Sequence, residues 1–165
     1  MPIFRNTENI ISIDHSWLER LKEEARNSPN YRSRLLMHTA EKDAVQEMII
    51  AVCKQADSPL HRSLERSESL QVLEGKVLVA IFDEKGKITN RFEMGPIGSG
   101  NIFIYRITSV PWHIIIPLTE VVVIHESLQG PFQKVVDPLP SWAPHDPISN
   151  KAFIENILKN NAVLV

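Results

Sequence analysis

From Leu70 to His125 the chain consists of short β-branched runs, each closed by turn residues, and this alternation admits little besides an antiparallel sandwich or barrel. The runs are Leu70 to Leu73, Val77 to Phe82, Ile88 to Met94, Asn101 to Ile107, Ile114 to Ile116 and Val121 to His125. Asp83-Glu84-Lys85-Gly86-Lys87 reads as a tight connection, with Gly86 free to take a positive φ. Ahead of this region Trp17, Leu18, Leu21 and Ala25 recur at helical spacing after Asp14 and Ser16, and Pro29 stops the helix. Val45 to Val52 suits a helix or a buried strand and is assigned to a strand. After the runs, Pro138, Pro140, Pro144 and Pro147 predict a surface wrap. A terminal helix follows, with Phe153, Ile154, Ile157 and Leu158 as its apolar stripe and Ser149 or Asn150 as its cap. The expectation is one domain: a helix over about 14–27, a barrel over about 32–136, and the wrap and second helix over 137–165.

At 165 residues and 43% hydrophobic content, one core is affordable without disulfide staples. The net charge of -2, with both signs interleaved, argues against nucleic-acid or anionic-lipid partners. The one cysteine, Cys53, cannot pair within the chain and points to a reducing cytoplasm. No apolar run is long enough to span a bilayer, so no membrane association is expected.

The residues that carry chemistry lie in His61-Arg62-Ser63-Leu64-Glu65-Arg66-Ser67-Glu68, with Gly75 ahead of the strand Val77 to Phe82. The order His-x-x, four residues, Glu, six residues, Gly resembles the first motif of the cupins, with Ser63 at the place of a second histidine. In that motif the first two positions share one strand face, and the glutamate comes from the next strand. His113 lies at the distance of a further ligand from the second motif. The resemblance thus implies a divalent metal, iron, manganese, nickel or zinc, on His61, Glu68 and His113. Two imidazoles and a carboxylate can hold such an ion with positions left open.

More widely, the chain resembles the WbuC family of cupin-fold metalloproteins between about Arg32 and Pro144. Arg34, His38, Val45-Gln46-Glu47-Met48, Pro59-Leu60-His61-Arg62, Glu68-Ser69, Gly75, Phe82-Asp83-Glu84-Lys85-Gly86, Tyr105-Arg106-Ile107, His113, Glu126, Gly130-Pro131-Phe132 and Trp142-Ala143-Pro144 carry it. It implies a mainly β fold, the cupin double-stranded β-helix or jelly-roll barrel, here with an N-terminal and a C-terminal helix. It also implies a link to surface-polysaccharide metabolism. Cupin barrels often pair through edge strands, so a homodimer is expected.

Arg34, His38, Ser63 and Arg106 are the candidates for contacting a small-molecule ligand, the cationic ones through a carboxylate or phosphate. Trp142-Ala143-Pro144 reads as a lid or a dimer contact. Three functions fit this set. One is a metal-dependent enzyme acting on a sugar or sugar-nucleotide derivative. Another is a metal-free isomerase or epimerase with His61 or His113 as base. The last is a module that binds a carbohydrate or metabolite without turnover.

Overall fold

A computed structural model describes residues 1–131 and 138–159, apart from the side chains of residues 63–65. Strand β1 (Ile3–Arg5) is followed by helix α1 (His15–Asn27), β2 (Arg32–Leu36), β3 (Val45–Cys53), β4 (His61–Glu74), β5 (Val77–Phe82), β6 (Ile88–Met94), β7 (Ile104–Pro117), β8 (Val121–Gln129) and helix α2 (Pro147–Lys159). Among the described residues the strands form one sheet in the order β1-β2-β3-β8-β4-β7-β5-β6, antiparallel except for β1 against β2. Neighbours so far apart in sequence mark a wound jelly roll rather than a meander. The ends of the expected barrel and of the expected second helix, residues 132–137 and 160–165, lie outside the described residues.

The period of two along each strand sorts the side chains into an interior and two outer layers. Met48, Ile50 and Val52 of β3, Val77 and Val79 of β5, and Val122 and Ile124 of β8 meet inside. Their sequence neighbours Ile49, Ala51, Cys53 and Val123 turn outward under Leu21 and Ala25 of α1. On the other side Leu78, Ala80 and Phe82 turn outward under Trp142, Phe153, Ile154 and Ile157. The strands therefore read as continuous apolar runs because both of their faces are covered. Trp142 lies 5.4 Å from Phe82 and 6.4 Å from Phe153 between ring centroids, and its indole N–H donates to the Glu84 carbonyl at 3.1 Å. Trp142-Ala143-Pro144 is thus part of the packing that ties α2 to the β5–β6 hairpin.

Three local expectations change. The cap of α2 is Asp146, whose Oδ1 accepts from the Ile148 and Ser149 amides at 2.9 and 3.0 Å. Ser149 and Asn150 already sit within the helix, and Pro147 takes the first turn, where its missing N–H costs nothing. Ile104 to Pro117 is one strand instead of two, with Ser109 in the left-handed region at φ 54° where the two runs join. His61 and Glu68 also belong to one strand, β4, rather than to two successive ones. Helix α1 does open on Asp14, whose carboxylate accepts from the Trp17 amide at 3.2 Å.

Candidate metal centre

Glu68 follows His61 by seven positions, an odd number, and a regular strand would point them to opposite faces. β4 is not regular. Its pairing with β7 slips between His61 and Ser63 and again between Ser63 and Ser67. These bulges change the parity, so that Glu68 joins Leu70 and Val72 in facing the interior while His61 also reaches it. His61 sits directly opposite His113 of β7, with the ring centroids 4.1 Å apart. One ligand atom from each of His61, Glu68 and His113 lies within 4.8 Å of the others.

Hydrogen bonds fix which atoms face the centre. His113 Nδ1 lies 3.0 Å from the Pro111 carbonyl, and His61 Nδ1 lies 3.1 Å from the Pro59 carbonyl. A carbonyl can only accept, so each Nδ1 carries the ring proton and each Nε2 presents a lone pair. His113 is fully buried, and its Nε2 has no hydrogen-bond partner. That atom stands 3.9 Å from Glu68 Oε1, which accepts from the Tyr105 hydroxyl at 3.0 Å. With Glu68 ionised, two acceptors face each other there, an arrangement that a cation between them would satisfy. The donor set is that of a 2-His-1-carboxylate site, and its Nδ1-to-carbonyl bonds are the outer support that ligating imidazoles usually have. The residues present therefore fit a divalent metal ion.

Electrostatics agree. Burial, and then the neighbouring His113, hold the His61 imidazole down at about 4, and burial likewise lowers His113, so both rings are neutral at pH 7. His61 is solvent-exposed, so water tempers its lowering, whereas His113 is fully buried. Burial raises the Glu68 carboxyl and outweighs the Tyr105 hydrogen bond, which favours its ionised form.

The triad opens on a cavity of about 300 Å³. Arg32 and Arg34 of β2 and Glu126 of β8 line it together with apolar side chains such as Ile50, Val122 and Ile124. Burial first, and then the nearby Glu68, push the Glu126 carboxyl up to about 8, against the pull of Arg34 and Arg32. A carboxyl raised in the folded state contributes stability that is complete below its ordinary value and is lost as pH rises through about 8. The depressed His61 works in the opposite direction, but only below its ordinary value of 6.5. In metal-free protein the melting temperature is therefore expected to fall from pH 6.5 to 8, and Glu126→Gln to flatten that slope. Thermal melts of both proteins across this window check it, and equal slopes would remove Glu126 from the account.

The structure brings His61, Glu68 and His113 together and sets Arg34 in the same cavity. It does not bring His38 or Arg106 there. His38 falls beyond the end of β2, where its Nδ1 meets the Glu47 carbonyl at 3.0 Å. Arg106 is exposed, on the face of β7 opposite Tyr105, which packs against the interior. Ser63 lies on β4 opposite Val110, and its side chain is outside the described residues. Arg32 and Glu126, which line the cavity, and Tyr105, which bonds to Glu68, are the groups that sequence reasoning did not place at the site. For Arg32 the available signal was the Arg-x-Arg spacing, which gives Arg32 and Arg34 the same strand face.

A family model described as a domain of unknown function, DUF6016, matches residues 13–94. No curated protein sequence matches. Among solved structures, an oxalate oxidase in complex with the substrate analogue glycolate aligns over 78% of this chain and 68% of its own, at 17% identity and a TM-score of 0.51. The protein BH2720 of Bacillus halodurans aligns over 79% of this chain and 88% of its own, at 12% identity and a TM-score of 0.51. The cupin domain of Cnp3 from Schizosaccharomyces pombe aligns over 59% of this chain at 14% identity and a TM-score of 0.47, and this chain covers 60% of that one. The chain has the mainly β, jelly-roll cupin fold. No helix among the described residues is long and apolar enough to cross a membrane.

Proposed function

We propose that this chain is a divalent-metal cupin of the WbuC kind, holding its ion on His61, Glu68 and His113 and acting on a sugar or sugar-nucleotide derivative of surface-polysaccharide metabolism. The observation that carries the metal is the unpartnered, buried Nε2 of His113 facing the Glu68 carboxylate. A divalent ion bound there supplies Lewis-acid polarisation of a ligand oxygen and lowers the pKa of bound water. The rest is done by the chain's own groups. Tyr105 orients the Glu68 carboxylate through its hydroxyl, and the Pro59 and Pro111 carbonyls hold the two imidazoles in one tautomer. The apolar walls of the cavity limit water around the reacting group. A homodimer belongs to the same reading, because β6 ends the sheet and an end strand invites pairing.

Neutral imidazoles are also what a metal-free isomerase needs as bases, and one experiment separates the two readings. Untagged protein is expected to carry close to one equivalent of a divalent transition metal by inductively coupled plasma mass spectrometry. Chelation should remove it and lower the melting temperature, since an ion that binds only the folded state stabilises that state. Protein that arrives empty and cannot be reloaded would exclude the metal reading and favour the metal-free one.

A further inference from the structure

We propose that the cavity takes an acidic, single-sugar-sized ligand, whose carboxylate or phosphate is held by the Arg34 guanidinium while its other end lies at the His61, Glu68 and His113 site. The proposal rests on the metal reading for the second half of that statement only.

The argument starts from unmade hydrogen bonds. A guanidinium offers five N–H donors in a rigid fork and stays charged, so in a half-buried position it needs acceptors. Arg34 Nε is buried and has no hydrogen-bond partner. Its Nη1 finds only the Met48 thioether at 4.0 Å, a weak acceptor at the edge of reach. Arg32, two residues away on the same strand face, bonds through Nη2 to the Asp57 main-chain carbonyl, a neutral partner. Among the described residues no carboxylate comes within ion-pair distance of either guanidinium, although Glu68 and Glu126 line the same cavity. Two cations thus share a partly apolar cavity with no anion paired to them. Leaving them so is costly, and a ligand that brings its own oxyanion relieves the cost.

Two further features narrow the ligand. The cavity, about 300 Å³, lies at the small end of the roughly 300–1,000 Å³ range of ligand pockets. That suits one sugar or an acid of similar size better than a nucleotide conjugate. Ile50, Val52, Val122 and Ile124 form the wall beside the arginines, so the polar contacts available to a ligand concentrate at Arg32, Arg34 and Glu126 on one side and at the triad on the other. A ligand with an acid group at one end and oxygen donors at the other matches both.

Metal-loaded, full-length protein is titrated calorimetrically with glucuronate, glucose 6-phosphate and glucose, which share a sugar body and differ in their acid group. At least one of the acids is expected to bind about tenfold or more tightly than glucose, the worth of one charge-assisted contact. Arg34→Gln should erase that advantage without changing the metal content, Arg34→Lys should keep part of it, and Arg106→Gln should keep all of it. A preference for glucuronate would identify a carboxylate ligand, and a preference for glucose 6-phosphate a phosphoryl one. Glucose binding as well as both acids, an advantage that survives Arg34→Gln, or binding of none of the three would overturn the proposal. Protein that holds no metal yet shows the Arg34-dependent preference would refute the metal reading and leave the acid pocket standing.

Discussion

On the proposed metal reading, His61→Ala protein is expected to lose the ion, with affinity falling by more than the roughly 10–100-fold typical of losing an outer-shell partner, because a ligand itself is removed. His61 is the informative position. It is solvent-exposed, so the vacated space can fill with water, whereas His113 is fully buried and its truncation adds a cavity cost to the loss of a donor. His113→Ala should empty the site as well, with a lower melting temperature even in metal-free protein. Glu68→Gln keeps the shape and the acceptor for Tyr105 but removes the charge, so it should weaken the ion while leaving metal-free stability unchanged or higher, since burial already disfavours the ionised carboxyl. The measurement is metal per protein across the three variants, with melts after chelation. Wild-type metal content in His61→Ala would mean that the ion sits elsewhere.

The fold was legible from Leu70 onward because both faces of the inner strands are covered, and covered strands announce themselves as β-branched runs. β2 was not, because Arg32-Ser33-Arg34 puts two cations on an inward face where the pattern leads one to expect apolar residues. What hid that strand is what makes it interesting. The grouping of His61, Glu68 and His113 was legible through its resemblance to a motif, but the geometry behind the motif was not. An odd His61-to-Glu68 spacing looks like a change of strand, whereas the chain keeps one strand and changes parity through bulges, which leave no mark in hydrophobic periodicity. Tyr105 and Arg106 show the reverse case. Only one of two neighbours can face inward, and the hydroxyl that reaches Glu68 takes that place, which sends the arginine to solvent.

Gly75→Ala is expected to cost about 3 kcal/mol or more, the sum of a left-handed backbone penalty of roughly 1–2 kcal/mol and a close steric contact. Gly75 joins β4 to β5 at φ 78°, and a Cβ there would stand 2.5 Å from Thr119 Oγ1 and 2.6 Å from the Val121 carbonyl oxygen. Neither atom is free to retreat. Thr119 Oγ1 accepts from the Lys76 amide at 3.0 Å and donates to that same Val121 carbonyl at 3.1 Å, which fixes the corner between β7 and β8. Gly100 has nearly the same backbone, φ 81°, with nothing within 4 Å of its Cβ position, so Gly100→Ala should show the backbone penalty alone. For a chain of this size the two variants should melt apart by several degrees, and chemical denaturation gives the difference as free energy. Equal losses would show that the corner yields and that only φ matters. A larger loss at Gly75 would show why the glycine stands where it does: it lets the β4–β5 turn close against the β7–β8 corner, and that closure sets Val77 in the cavity wall and holds the strand that carries His61 and Glu68 against the one that carries His113.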